Sequence, residues 1–251
     1  MAHSLLLCRH SPFAETPASL GCVYQVGPIY AGCKPATGGK NHPTGGWVAI
    51  ALVDAYDNPK AASGLATFSS YFGLPAASFT KVYANRSFGT LKGLTATCSG
   101  VPAGDMDWGL EEDLDIEWSH AMAPSAKIIL VEACSNGWED LLFAEQVAAI
   151  KVAAAGGGDI SNSWSGAEFS GEVGTIDDVF YRYYWSKVTY FASAGDYGWG
   201  AQYPSSSPWV VSAGGTTVNR DASGNFVSES CWSGSGGGVS AYEKWQSPPI
   251  S

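Results

Sequence analysis

The chain has 251 residues, 45% of them hydrophobic, which is enough for one sizeable core. Acids outnumber bases by 23 to 13, and a net charge of -10 argues against nucleic acid or an anionic membrane surface as a partner. No apolar run approaches the roughly 20 residues that span a bilayer; the longest, 48–53 and 127–133, have the length of buried strands.

In chain order, residues 1–46 carry Pro, Gly and Cys without sustained periodicity and read as irregular. Residues 47–54 form an unbroken apolar run ending in Asp54, the pattern of a strand buried on both faces. A turn at Asp57-Asn58-Pro59 leads to helical spacing over 60–72, which Gly73 and Pro75 stop. Residues 79–84 read as a short strand and 85–108 as loop, rich in Gly, Thr and Ser. A helix is predicted over 110–122, ended by Pro124, and a buried strand over 127–133. Helical composition over 138–155 ends at Gly156-Gly157-Gly158. A strand over 159–164, a helix over 175–185, and strands over 187–193 and 209–213 follow. Apolar strands alternating with helices predict an α/β fold, a parallel sheet flanked by helices on both faces. Function in such a sheet belongs at the carboxyl ends of the strands. Residues 233–238, all Gly or Ser, read as a loop.

The six cysteines stand at 8, 22, 33, 98, 134 and 231, and none forms a CxxC pair, so a structural zinc site is not expected. Cys22 and Cys33 flank a short Gly- and aromatic-containing segment that closes easily as a disulfide loop, and Cys98 with Cys134 is a second candidate pair. The alternative is six reduced, buried thiols. Abundant Gly, Ser, Trp and Tyr with few Lys lean towards an extracellular hydrolase, although Leu5 to Cys8 is too short for the apolar core of a signal peptide. Asn85-Arg86-Ser87 is a glycosylation sequon, a triplet common by chance.

Three places carry candidate chemistry. Residues 111–117 pack five carboxylates into one predicted helix start, where the dipole alone stabilises acids. Glu111 and Asp115 share a face, but so do Asp113 and Glu117, and periodicity does not choose between them. Two carboxyls held close and partly buried titrate apart, leaving one able to act as an acid. Asp196 follows an apolar strand between Gly195 and Gly198, as a turn cap or as a group presented at the strand's carboxyl end. Asp54 ends the first strong strand as the catalytic Asp of a subtilisin does. However, His3, His10, His42 and His120 all lack the following Gly, so a His-based triad is poorly supported.

From Cys22 onwards these features, in this order, resemble the sedolisin (serine-carboxyl peptidase) family, which shares the subtilisin fold and replaces His by Glu. The stretch 111–128, Glu-Glu-Asp-Leu-Asp through Ala-Pro-Ser-Ala-Lys-Ile, is similar to the family's segment bearing catalytic Glu and Asp, and so favours Glu111 and Asp115. Ser193-Ala194-Gly195-Asp196 resembles the stretch whose Asp serves the oxyanion hole. The run 160–164, with Ser163 and Trp164, looks like the strand lining the substrate cleft, and 203–216 and Gly236 to Ser240 also follow family order.

The resemblance implies a peptidase domain over 22–251, preceded by an irregular segment over 1–21 and incomplete at its carboxyl end. It implies acid-active, serine-type endopeptidase chemistry on protein or peptide substrates outside the cell. A serine attacks, Glu111 takes its proton, Asp115 orients Glu111, and protonated Asp196 donates to the oxyanion. Asp54 extends the carboxylate network. Two departures stand out. Tyr197 replaces a small Ser, and Gly214-Gly215-Thr216-Thr217 is the only run like the family's Gly-Thr-Ser nucleophile motif. The nucleophile and a calcium site are therefore expected beyond Ser251, no metal or cofactor is expected within the chain, and this chain alone is expected to be inactive, with a sheet edge left uncovered. The rival reading is a sedolisin-like binding or structural module without activity.

Overall fold

The structure, a computed structural model of the chain, describes residues 14–35, 41–177 and 187–244. Its elements in order are α1 (Pro17–Val23), β1 (Ala49–Ala55), α2 (Ala61–Phe72), β2 (Ser78–Ala84), α3 (Met106–Met122), β3 (Lys127–Ala133) and α4 (Trp138–Ala154). There follow β4 (Gly158–Asn162), β5 (Gly166–Ala167), β6 (Val188–Ser193), β7 (Gln202–Tyr203), β8 (Val210–Ala213), β9 (Thr216–Arg220) and β10 (Phe226–Cys231). Six strands form one parallel sheet in the order β2-β3-β1-β4-β6-β8. The α/β parallel sheet read from the sequence is therefore present, as a subtilisin-like architecture with helices on both faces.

Strand alternation decides what each face packs against. Ala51, Val53, Ile129, Val131 and Ile160 join Phe143, Val147 and Val152 of α4 in one core. Leu52, Ile128 and Leu130 turn the other way, onto Ala61 and Leu65 of α2 and Ile116 of α3. Each helix of these crossovers runs back antiparallel to the strands it links, so its N-terminus returns to the carboxyl edge of the sheet. The turn from α4 into β4 needs glycine. Gly158 has φ +145°, and a β-carbon there would sit 1.9 Å from the Ala49 carbonyl oxygen.

Several boundaries differ from the sequence reading. The segment over 1–21 is not irregular throughout: Pro17–Val23 is helical, with Thr16 as N-cap in a capping box with Ser19. A seven-residue helix has too few turns for periodicity to register. Arg220 of β9 ties down the preceding stretch by bonding both oxygens of Glu15, at 2.6 and 2.7 Å. Helix α3 begins at Met106, one turn earlier than its apolar pattern suggests, because the Asp105 carboxylate accepts the backbone N–H groups of Asp107 and Trp108. The antiparallel β9–β10 hairpin was not expected, and every residue of β10 is exposed. The helix expected over 175–185 lies mostly outside the described residues; what is described, Glu172–Ile176, is a kinked π-turn.

Both expected disulfides are present, Cys22–Cys33 and Cys98–Cys134. Cys231 is exposed and unbridged. Among the described residues β8 pairs with β6 alone, and Val211, Ser212 and Ala213 are exposed.

Candidate active site

Consecutive crossovers reverse direction between β1 and β4: β1 leads outward to β2, and β4 leads the opposite way to β6. A crevice opens outside the carboxyl ends of such a pair. Asp54 is the penultimate residue of β1, Ser163 directly follows β4, and the sheet register places Val53 beside Asn162.

Helix α3 lays two acids along this crevice. Glu111 and Asp115 are one turn apart, and the side chains flank the buried ridge of Glu112, Ile116 and His120. The Ser163 hydroxyl donates to Asp115 Oδ2 at 2.7 Å. A cleft of about 200 Å³ is lined by Asp107, Trp108, Glu111 and Ser163. Burial pushes the Asp115 carboxyl up to about 7; the Ser163 hydrogen bond opposes this and the Glu111 charge adds to it. Burial also raises Glu111, with Ser163 opposing and the charge of Asp196 adding. Near-neighbour carboxyls of this kind give up their protons as a coupled pair.

Asp196 reaches the site from an exposed loop after β6. Gly195 has φ +98° and no room for a β-carbon, which would lie 2.3 Å from Gln202 Oε1. Gly236 packs against the same backbone, donating its N–H to the Gly195 carbonyl at 2.6 Å. A β-carbon on Gly236 would meet the Ala194 carbonyl at 2.0 Å. The Gly-rich run read as a loop is thus the backing of the Asp196 turn. Tyr197 is 76% exposed and does not fill the cleft.

Trp164 is buried beneath the cleft rather than lining it. Its indole N–H donates to the Val53 carbonyl at 3.0 Å, and its ring meets Trp138 edge-on. Asp54 is fully buried, and neither of its oxygens has a hydrogen-bond partner. Burial holds it well above the usual carboxylate range, reinforced by the charges of Asp115, Glu111 and Glu132. The structure therefore brings Glu111, Asp115, Ser163, Asp196 and Asp54 to one end of the sheet.

Sequence reasoning missed Asp107 and Trp108 as cleft-lining residues, because both fall in the turn assigned to loop. Tyr56 was missed as well. It has a left-handed backbone, φ +70°, packs on Trp108 with ring centres 6.5 Å apart, and donates its hydroxyl to Asn136 Oδ1. A side chain held in that region at the mouth of a cleft is a strained residue supported by its contacts. Among the described residues no group of three or more His, Cys, Asp or Glu is arranged to hold a metal ion.

No protein-family model matches the chain, and no curated protein matches it. Among solved structures it is similar to Pseudomonas sedolisin, a serine-carboxyl proteinase complexed with two molecules of pseudo-iodotyrostatin, with a TM-score of 0.71 and 19% identity. The similarity covers 94% of this chain and 66% of that one, so the chain spans just under two thirds of the length of the protein it matches. A psychrophilic protease, S41, gives a TM-score of 0.45 at 17% identity, covering 78% of this chain and 61% of that one, too low to carry an argument. The likeness to sedolisin shows the fold, a subtilisin-type architecture.

Proposed function

We propose that residues 1–251 form the acid–base part of a secreted, acid-active serine-carboxyl endopeptidase. The observation that carries this reading is the coupled Glu111–Asp115 pair at the carboxyl edge of the sheet, hydrogen-bonded through Asp115 to Ser163. Glu111 faces the cleft and, once ionised, takes the proton of an attacking serine hydroxyl. Asp115, behind it, holds Glu111 in place and buffers its charge. Asp196 supplies the hydrogen bond to the oxyanion of the tetrahedral intermediate. Carboxylates suit this work in acid, where an imidazole base would already carry a proton.

The resemblance puts the attacking serine and a calcium site outside residues 1–251, so in this reading residues 1–251 alone do not cleave. Substrates are unfolded proteins or peptides. The test is hydrolysis of a denatured protein at acid pH by the longer polypeptide that carries these residues. Activity should appear in the longer chain and vanish on Glu111→Ala, Asp115→Ala or Asp196→Ala. Activity that survives Glu111→Ala would remove Glu111 as the base. An active-site-free binding module predicts no hydrolysis by either length.

A further inference from the structure

The face of the sheet covered by α2 and α3 buries more acid than the cleft uses. Across β2-β3-β1 the register aligns Tyr83, Glu132 and Asp54 in one row just below the carboxyl edge. Glu112 of α3 lies over this row, one residue from Glu111. Asp54, Glu112 and Glu132 are each completely buried. Among the described residues, Lys81, on β2, is the one cation paired with them. Its ammonium lies 3.0 Å from Glu132 Oε1 and 2.5 Å from Asp57 Oδ1, and donates to the Asn58 carbonyl at 2.8 Å. Its Nζ also stands 5.2 Å from the centre of the Tyr83 ring.

Glu132 is thus asymmetric. Oε1 accepts from Lys81 and from the Asn58 backbone N–H, at 3.0 and 3.1 Å. Oε2 has no donor, and neither oxygen of Glu112 or of Asp54 has a partner. Two ionised carboxylates have no hydrogen to share, so the contact between Glu112 and Glu132 becomes a bond only when one of them carries a proton. The groups facing this row are few. Asp54 sees Glu111, Asp115 and Glu132. Glu112 sees Glu132, Asp54 and Lys81. Glu132 sees Lys81, Asn58 and Asp57. Asp113 is engaged on the far side, accepting from Asn58 Nδ2 at 2.8 Å. Helix α2 brings no charged residue. One lysine already shared with Asp57 cannot neutralise three buried carboxylates, and an unpaired buried charge is too costly to persist.

We propose that Glu112 and Asp54 fold as neutral acids on either side of a Glu132 held by Lys81, and that these two side chains keep protons which the unfolded chain gives up at neutral pH. Burial, with the charges of Glu132 and Asp54, pushes the Glu112 carboxyl up to about 10, in keeping with this arrangement. A carboxyl whose native value is raised stabilises the fold fully below its unfolded value and loses that stabilisation as the pH rises through the native one. The fold is therefore acid-stable and weakens from mildly acid pH into the alkaline range. This holds whether or not Glu111 and Asp115 cleave peptides, so it fails or stands independently of the catalytic reading.

The test is denaturant unfolding of the protein at a series of pH values between neutrality and about 9, below the native value of Glu112. Glu112→Gln places an amide where the neutral acid stood, and its NH2 can donate to Glu132 Oε2. Each stored proton steepens the pH dependence by about tenfold in the unfolding equilibrium constant per pH unit. Glu112→Gln should remove one such factor, whereas Lys81→Met should add one below the native value of Glu112, because Glu132 then needs its own proton. A wild-type protein whose unfolding releases no protons above neutrality, or slopes identical in wild type and Glu112→Gln, overturns the proposal. Should Glu112→Gln fail to fold, the infrared band of protonated carboxyls at about pH 8 in a Glu145→Gln background decides it, and absence of that band refutes the stored protons.

Discussion

The two faces of the sheet are built from the same strands, yet they bury opposite things. Beneath α4 the alternate residues Ala51, Val53, Ile129 and Val131 meet Phe143, Val147 and Val152 in a nearly pure hydrocarbon layer. Over the other face, next to the apolar patch under α2, lie Asp54, Glu112 and Glu132. The first arrangement stabilises the fold by removing apolar surface from water. The second costs stability unless protons and Lys81 offset it. Carboxyls are concentrated on the face and at the end of the sheet where the crevice opens, and hydrocarbon is concentrated where only cohesion is needed.

Substitutions on the two faces should separate these contributions. The largest effect is expected on activity. In the peptidase proposed above, Glu111→Gln should lower kcat/KM on a denatured protein by about a thousandfold or more, with the denaturation midpoint little changed. On the hydrocarbon face, Phe143→Ala should cost about 3–5 kcal/mol in denaturant unfolding, since Phe143 is completely buried. Removing the Cys98–Cys134 bridge, which closes a separation of 36 residues, should cost about 4 kcal/mol on the chain-entropy scale. Losing Cys22–Cys33, with a separation of 11, should cost about 3 kcal/mol.

The smallest effect in acid belongs to Glu145, a carboxyl buried on α4. Burial pushes it up to about 8, opposed by the neighbouring Asn162 side chain. Its stabilising neutral form is complete below the unfolded carboxyl value and is lost as the pH rises through about 8. Glu145→Gln should therefore leave stability unchanged in acid and flatten its decline between mildly acid pH and 8. A decline as steep as wild type would show that Glu145 is already ionised in the fold.

Much of this was legible in the sequence because it obeys local rules. Apolar runs gave β1 and β3, and Gly73 ended α2 where expected, in a left-handed cap. The pairing of Glu111 with Asp115 was not decided by helical spacing, which served Asp113 and Glu117 equally well; only the order of motifs favoured it. The fold adds a physical distinction. Glu111 and Asp115 lie along the cleft, Asp113 is tied to Asn58, and Glu117 is buried. The Glu132–Lys81–Asp57 cluster was invisible because its members come from three segments brought together only by strand register. The N-cap Asp105 and the short helix α1 were missed for a different reason: side-chain capping sets their limits, and hydrophobic periodicity does not record it.

The hydrogen bond from the Trp164 indole to the Val53 carbonyl fastens the end of β1 to the bend that follows β4. It makes the floor of the crevice a single stiff jaw, with Asp54 on one side and Ser163 on the other. The opposing wall is fastened elsewhere, the first turn of α3 by Asn58 Nδ2 donating to the Gly109 carbonyl and the Asp196 loop by the Gly236 N–H donating to the Gly195 carbonyl.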